Sequence, residues 1–198
     1  HYGLQAIADI KLNDIASTNL VAANHLWRAG FDALIANPFV GFEDGLAPVL
    51  QQAHDQEKGV ILLVYMSHRG SKEGFGLTVV SKSKKMRMYE LFLEKALKWK
   101  VDGIVVGATN PKLIKAFSSR ARGRLLIFSP GIGVQGGSAD QTVRAGADFL
   151  IVGRAIIESP QPRVAAEDIR RATWRPFWSQ VFGGTYGLHP KPALRCET

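Results

Sequence analysis

The chain has 198 residues, and 46% of them are hydrophobic, which is enough for one domain with a sizeable core. Its 25 Lys and Arg outnumber its 17 Asp and Glu, and the formal net charge of +8 suits a nucleic acid or a small polyanion. Aromatic residues, which base stacking requires, are not interleaved with the basic ones, and this argues against nucleic acid. No stretch approaches the ~20 consecutive apolar residues of a membrane span, and the single cysteine, Cys196, fits a reducing cytoplasm.

Six short, nearly all-apolar runs predict strands that are covered on both faces, as in a parallel sheet. The segments between them have the period of helices, and successive runs begin about 20 to 45 residues apart, which is typical of β-α units. The sequence therefore predicts an α/β fold. The runs are IADIKL (7–12), DALIANPF (32–39), VILLVYMS (60–67), GIVVGA (103–108), RLLIFSPG (124–131) and DFLIVGRA (148–155).

Two arrangements of these units are open at this point. A closed (β/α)8 barrel needs eight strands, so two β-α units would have to precede His1. An open doubly wound sheet of six strands needs nothing further. In either case we expect residues 1–173 to form the domain, and residues 174–198, which are rich in aromatic residues and proline, to form an irregular tail.

Local signals predict where helices begin and how the basic residues lie. Ser17, Thr18 and Asn19 are N-cap candidates ahead of an apolar helical segment, and Asn110 stands before a first-turn proline. The basic residues are predicted to lie on a solvated loop and helix face, the loop around SKSKKMR (81–87) and the helix with Lys95, Lys98 and Lys100.

Charged residues stand at the end of the first run, where apolar residues are expected. Strand side chains alternate, so Asp9 and Lys11 are predicted to point to the same side, and Asp14 follows in the loop. Burying such an acid–base–acid cluster costs free energy unless the groups pair or serve a purpose, and carboxylates nearby favour the protonated lysine. The cluster therefore predicts either a structural ion pair or a proton donor held in place.

A glycine-rich stretch, SPGIGVQGG (129–137), contains the G-x-G-x-x-G pattern of a dinucleotide-binding loop. That pattern belongs in the first β-α-β unit with an acidic residue ~20 positions further on, but here it follows the fifth run and Ile156 holds that position. The dinucleotide interpretation is therefore rejected. Backbone N–H groups of glycines can still approach an anion closely, and Gly153 and Arg154 end the next run with a second anion contact. Together the two stretches predict a phosphate-binding barrel.

With these motifs the sequence resembles the orotidine 5′-phosphate decarboxylase family, in its shorter archaeal form, over about residues 5–160. The resemblance implies a dimer of (β/α)8 barrels that converts orotidine 5′-phosphate to UMP and CO₂, the last step of de novo pyrimidine synthesis, without cofactor or metal. It also implies two β-α units, a second lysine and a ribose-binding aspartate ahead of His1. The motifs that carry it are D-x-K-x-x-D at Asp9, Lys11 and Asp14, the SPGIGVQGG loop, VGR (152–154) and MSHRG (66–70).

The resemblance also implies roles for individual residues. Asp9 would lie against the departing carboxylate and Lys11 would protonate C6 of the pyrimidine. Asp14 would reach into the partner subunit's site, with Ile15 and Thr18 beside it. The other positions would contact the base or the phosphate, with Gln135 bridging the two: Ser67, Pro130, Gly131, Ile132, Gly133, Val134, Gln135, Gly136, Gly137, Gly153 and Arg154.

Two alternative functions stay open. Related sugar-phosphate enzymes, such as a hexulose-phosphate synthase or a keto-gulonate-phosphate decarboxylase, use Mg²⁺ and a glutamate ahead of D-x-K-x-x-D, and residues 1–8 contain no glutamate. The other alternative is a catalytically inactive barrel that binds a nucleotide through its phosphate.

Overall fold

A computed structural model describes residues 3–173, and the predicted tail at 174–198 lies outside the described residues. The strands of the described part are β1 (Ile7–Leu12), β2 (Ala33–Ala36), β3 (Gly59–Tyr65), β4 (Thr78–Ser81), β5 (Lys84–Arg87), β6 (Gly103–Val106), β7 (Leu126–Pro130) and β8 (Phe149–Ile151). Its helices are α1 (Ala16–Arg28), α2 (Ala47–Asp55), α3 (Met88–Trp99), α4 (Pro111–Ala121), α5 (Ala139–Arg144), α6 (Arg154–Ile157) and α7 (Pro162–Thr173). All six predicted strands are therefore present; β1 spans the same residues as its run, and the other five are shorter than theirs.

Six strands form one parallel sheet in the order β1-β2-β3-β6-β7-β8. Neighbours in the sheet are thus neighbours in the chain once β4 and β5 are set aside. A doubly wound sheet would reverse its strand order at a switch point, and this sheet has no such reversal. The sheet is a curled arc of a (β/α)8 barrel, which confirms the predicted barrel with six of its eight units.

The side chains of the strands pack into two separate layers. Along β3, Val60, Leu62 and Val64 join the large cluster between the sheet and the helices. Ile61 and Leu63 point to the other side of the sheet and join a smaller cluster with residues from β2, β6 and β7. Every residue of β3 is buried, so the apolar run reflects a strand that is covered on both faces.

Aspartates hold the amino-terminal ends of neighbouring strands together. Asp32, just before β2, accepts a hydrogen bond from the N–H of Ala6 at 2.9 Å. Asp102, before β6, accepts from Val60 at 2.7 Å, and Asp148, before β8, accepts from Ile127 at 2.7 Å. Burial raises the pKa of the Asp102 and Asp148 carboxyls, and the backbone hydrogen bonds oppose that rise. The three aspartates therefore link neighbouring strands at the end of the sheet where the strands begin.

The stretch SKSKK lies in a β-hairpin, so the predicted loop is wrong, whereas the predicted helix is present as α3, which carries Lys95 and Lys98. Strands β4 and β5 pair antiparallel from Thr78 with Arg87 to Ser81 with Lys84. The turn residues Lys82 and Ser83 both have positive φ, 48° and 64°, as a two-residue hairpin turn of the favoured hand requires. The lysines of this stretch are exposed, which agrees with the predicted solvation.

One of the two predicted helix caps is confirmed. The Asn110 side chain accepts a hydrogen bond from the N–H of Leu113 at 3.1 Å, ahead of the first-turn proline of α4. The N-cap prediction for Ser17, Thr18 and Asn19 is wrong, because α1 begins at Ala16 and its N-cap position has no side-chain hydrogen bond. Asn19 forms tertiary hydrogen bonds instead.

Candidate active site

The end of β1 places an acid and a base side by side. Lys11 Nζ donates a hydrogen bond to Asp9 Oδ1 at 2.7 Å, and the two side chains are 39% and 52% exposed. Strict strand alternation was the predicted reason for their closeness, but Lys11 has φ of 49° and the register of β1 against β2 shifts between Ala8 and Leu12. A left-handed backbone costs a non-glycine residue about 1–2 kcal/mol. The strained residue is thus Lys11, whose charged side chain lines the cavity described next.

A cavity of about 170 Å³ lies beside this pair and receives a side chain from each of the six strands of the sheet. The ammonium and the carboxylate therefore stand at one edge of an otherwise largely apolar space. A cavity of ~150 Å³ holds a benzene-sized ring, so this space is large enough for one six-membered ring. The lining residues are Asp9, Lys11, Ile35, Leu63, Met66, Ser67, His68, Val105, Pro130, Gln135 and Ile151.

Across the cavity, the loop after β3 is hydrogen-bonded to the glycine-rich loop after β7. Ser67 Oγ donates to Gln135 Oε1 at 2.6 Å. A Cβ added at Gly107 would lie 2.6 Å from the Ser67 Cα, and one at Gly131 would lie 2.7 Å from both the Ser67 Cβ and Gln135 Oε1. The two glycines therefore allow the close approach that the Ser67–Gln135 bond requires.

The glycine-rich loop folds back on itself. Gly133 N–H donates to the carbonyl of Gly137 at 2.9 Å, and Gly137 N–H donates to the carbonyl of Gly131 at 3.0 Å. Gly131, Gly133 and Gly136 have φ of 98°, 76° and 89°, a region that side chains strongly disfavour. The pattern of glycines thus specifies a compact turn, and α5 begins only after it, at Ala139.

A larger cleft of about 370 Å³ lies elsewhere, between α5, β8 and α7. It contains none of the predicted site residues, and its one carboxylate near the sheet, Asp148, already accepts a backbone hydrogen bond. The chemistry predicted from the sequence therefore belongs to the smaller cavity.

Comparison with known proteins identifies the family of the chain. A sequence model of the orotidine 5′-phosphate decarboxylase / HUMPS family matches residues 1–169. The chain belongs to this family. It is 36% identical over 167 residues to the orotidine 5′-phosphate decarboxylase of Pyrococcus abyssi, covering 84% of this chain and 73% of that one, and 38% identical over 164 residues to that of Thermococcus kodakarensis, covering 83% and 70%.

Solved structures of the decarboxylase family have the same fold. A structure of orotidine 5′-monophosphate decarboxylase from Methanocaldococcus jannaschii, complexed with the inhibitor BMP, matches with a TM-score of 0.75 and 31% identity over 86% of this chain and 74% of that one. The orotidine 5′-phosphate decarboxylase of Pyrococcus horikoshii matches with a TM-score of 0.71 and 36% identity, over 86% and 74%.

The structure brings together five of the residues to which the decarboxylase family resemblance assigns roles. They are the cavity-lining residues Asp9, Lys11, Ser67, Pro130 and Gln135. The other residues of the glycine-rich loop, Gly131, Ile132, Gly133, Val134, Gly136 and Gly137, lie in the same turn as Gln135.

Asp14, Ile15 and Thr18 are exposed and are not among the described residues that line the cavity. The acid–base–acid cluster predicted from the sequence is therefore an acid–base pair within one chain. Asp14 lies beyond the end of β1, where the chain turns into α1, and its Oδ1 accepts a hydrogen bond from the Ile15 N–H at 2.7 Å.

Gly153 and Arg154 form the start of α6, outside the cavity lining. The glycine-rich loop passes close to them, since a Cβ added at Gly133 would lie 3.1 Å from the Ala155 Cβ. The two predicted phosphate contacts are thus adjacent to each other. The Arg154 side chain is exposed at this place.

Two further features of the described part bear on function. Among residues 3–173, none of the helices is both long and apolar enough to cross a membrane. The same residues contain no group of three or more His, Cys, Asp or Glu side chains placed to hold a metal ion.

Proposed function

We propose that the chain decarboxylates orotidine 5′-phosphate to UMP and CO₂, the last step of de novo pyrimidine synthesis, in the cytoplasm. The observation that carries the proposal is the 2.7 Å Lys11–Asp9 pair at the edge of a cavity large enough for one ring. Family membership and the names of the curated relatives support the same reaction.

The reaction needs a cation in the plane of the pyrimidine ring. When the bond between C6 and the carboxylate breaks, its electron pair stays on C6 in the ring plane, where the ring's π system cannot delocalise it. A preorganised ammonium stabilises charge that develops at such a position. Lys11 fills this role and transfers one proton to C6, so the new C6–H bond replaces the lost carboxylate and the amine regains its proton from water. Asp9, which holds the ammonium, faces the departing carboxylate.

The ribose phosphate extends from the cavity to the glycine-rich loop and the start of α6. Gln135 lines the cavity while belonging to the loop. It can therefore contact the base and the phosphate at once. Arg154 supplies a planar fork for phosphate oxygens. Binding energy from the phosphate, remote from C6, then serves to close the loop and orient the ring.

We further propose a homodimer in which Asp14, Ile15 and Thr18 complete the neighbouring subunit's site. Ile15, next to Asp14, is 64% exposed, so an apolar side chain stands on the surface beside the carboxylate. Asp14 does not line its own chain's cavity in the described structure. An exposed carboxylate beside an exposed apolar side chain suits a contact with a second copy of the chain.

The test is UMP formation from orotidine 5′-phosphate by the full-length protein, with and without a chelator. We expect the same turnover in both, since the proposed chemistry uses no metal ion. The family description also includes the HUMPS enzymes, so pentulose and hexulose phosphates are assayed in parallel. Chelator-sensitive turnover of a sugar phosphate would overturn the proposal. Tight binding of UMP without CO₂ release would indicate a binding barrel that lacks catalysis.

A further inference from the structure

Asn19 is fully buried, and its hydrogen bonds hold the loop that carries Asp14. Its side chain is 0% exposed. Oδ1 accepts from the Asp14 N–H at 3.1 Å, and Nδ2 donates to the Asp14 carbonyl at 2.5 Å and to the Gly45 carbonyl at 3.2 Å. Both backbone polar groups of residue 14 are therefore tied to one side chain.

The other end of this link is a tightly packed turn. Gly45 belongs to the segment Phe42–Leu46 between β2 and α2, and a Cβ at Gly45 would lie 2.8 Å from the Val40 carbonyl oxygen. Leu46 next to it is fully buried. Since this turn has no room to shift, Asn19 anchors the Asp14 loop to a fixed point on the neighbouring β-α unit.

A structural role for α1 alone does not account for an asparagine here. Asparagine is a poor helix former, and it lies in the first turns of α1 without capping that helix. Its three hydrogen bonds go to Asp14 and to the adjacent turn. The exposed Asp14 carboxylate is carried by the backbone that Asn19 holds, and its Oδ1 also accepts a hydrogen bond from the Ile15 N–H.

We propose that Asn19 is a positioning residue that fixes residue 14 so that the Asp14 carboxylate enters the neighbouring subunit's site at the correct angle. This rests on the proposed function, in which Asp14 acts in the partner's site. Loss of the Asn19 side chain would free the Asp14 loop and leave the carboxylate misplaced, while Lys11 and Asp9 stay intact in the chain's own cavity.

The first test compares Asn19→Ala with Asn24→Ala. Asn24 lies on the same helix, and its Oδ1 accepts a hydrogen bond from Gln52 at 2.9 Å, away from Asp14. We expect kcat for orotidine 5′-phosphate to fall roughly 10- to 100-fold in Asn19→Ala, since small misplacements of site groups have effects of this size. Asn24→Ala should keep kcat within about twofold of the wild type, because its side chain is only partly buried and bonds to Gln52 rather than to Asp14. An equal fall of kcat in both variants would overturn the proposal.

Mixed subunits supply a readout that a purely structural role would not give. Random pairing of Asn19→Ala with Lys11→Ala subunits yields mixed dimers in which one site has an intact Lys11 and receives Asp14 from a subunit with an intact Asn19. About a quarter of all sites are then intact, so about a quarter of wild-type activity should return. Mixing Asn19→Ala with Asp14→Ala should give no recovery, because both defects lie in the donated loop. Absence of recovery in the first mixture would contradict the proposal.

The mixture of Lys11→Ala with Asp14→Ala separates this inference from the proposed function. Recovery to about a quarter there establishes donation between subunits, so a failure of the Asn19 mixtures would then count against Asn19 alone. If this mixture gives no recovery, Asp14 is not donated between subunits, and the proposed role of Asn19 is refuted with it. If Asn19→Ala does not fold, Asn19→Ser, which keeps a short polar group, is used in the same mixtures with the same expected pattern.

Discussion

The two ends of the sheet use the same residue type for different purposes. At the amino-terminal end, Asp32, Asp102 and Asp148 accept hydrogen bonds from the N–H groups of neighbouring strands. At the carboxyl-terminal end, Asp9 is half exposed and pairs with Lys11 beside a cavity. In barrels of this kind the active site lies at the carboxyl-terminal end and the opposite end serves stability. The role of an aspartate in this protein therefore follows from the end of the strand at which it stands.

The difference is also one of hydrogen-bond partners. Asp32, Asp102 and Asp148 each bond to a backbone N–H and do not line the cavity. Asp9 bonds to a side chain that itself faces the cavity, so both members of that pair can exchange their contact for a substrate group. Substitutions at the two ends should accordingly separate turnover from stability.

The largest expected effect is that of Lys11→Ala. Turnover of orotidine 5′-phosphate should fall about 1,000-fold or more, because the developing charge at C6 loses its only proposed cation. Circular dichroism should still report a folded barrel, since the side chain is 39% exposed. Lys84→Ala, in the exposed hairpin, is the matched control with expected wild-type turnover. Retained activity in Lys11→Ala would refute the role of the residue.

Gly131→Ala should have the next largest effect on turnover, a loss of about 100-fold. The added Cβ would lie 2.7 Å from the Ser67 Cβ and from Gln135 Oε1, and alanine disfavours the φ of 98° at this position. The Ser67–Gln135 hydrogen bond between the two loops should therefore break. Gly136→Ala is the comparison, because its φ of 89° is also positive but nothing lies within 4 Å of the added atom. Steady-state assays of both variants separate crowding from backbone strain. A smaller loss in Gly131→Ala than in Gly136→Ala would argue against the packing explanation.

Arg154→Ala should mainly weaken binding, with a smaller fall in kcat because phosphate binding also serves to close the loop. Removing a charge-assisted contact to phosphate costs about 1.5–3 kcal/mol, which corresponds to a rise in KM of about 10- to 100-fold. Arg163→Ala on α7, where the side chain pairs with Glu167, provides an arginine control with unchanged KM. Calorimetry with UMP checks the affinity directly. Equal affinity in the wild type and Arg154→Ala would remove this residue from the phosphate site.

At the opposite end, Asp102→Ala should lower the free energy of unfolding by about 1–3 kcal/mol, because the Val60 N–H loses its partner. Asp102→Asn keeps an oxygen that can accept this hydrogen bond, so its effect should be smaller. Urea denaturation of both variants measures the difference, and turnover at saturating substrate should match the wild type. A turnover defect without a stability defect would contradict the division between the two ends.

The smallest expected effect is a pH dependence of stability from Asp102 and Asp148. Burial raises their pKa in the folded state, so the folded protein binds protons more readily than the unfolded chain. Their contribution to stability is complete below the ordinary carboxyl pKa of ~3.9 and is lost as pH rises through the raised folded value. Asp102→Asn should therefore gain stability relative to the wild type as pH rises through this window. If Asp102→Asn instead gained stability relative to the wild type as pH falls, the raised pKa of Asp102 would be contradicted.

The strands and the glycine-rich loop could be predicted from the sequence, whereas the hairpin could not. The six strands were predictable because parallel strands buried on both faces are apolar throughout. The loop at SPGIGVQGG was predictable because glycine adopts positive φ more readily than other residues. The hairpin was missed because its turn uses Lys82 and Ser83 rather than asparagine or glycine, and lysines obscure the alternation of its strands. The β-branched residues Thr78, Val79 and Val80 were the one feature of the sequence that indicated a strand here.

Other features depend on tertiary contacts that local sequence does not encode. Ser17, Thr18 and Asn19 match an N-cap pattern, but the carbonyl of Gly45, 26 residues away, determines what Asn19 does. The left-handed backbone of Lys11 could not be anticipated, because lysine has no preference for it. The aspartates at strand starts follow a turn residue of positive φ two positions earlier, as at Gly30 and Gly146, and that spacing would have identified them.

A crystal structure of the full-length protein with UMP bound tests the central claim most directly. We expect the pyrimidine in the cavity of about 170 Å³, with Lys11 Nζ roughly 3–3.5 Å from C6 and the phosphate between the glycine-rich loop and Arg154. A ring bound elsewhere, or a Lys11 ammonium directed away from C6, would contradict the account.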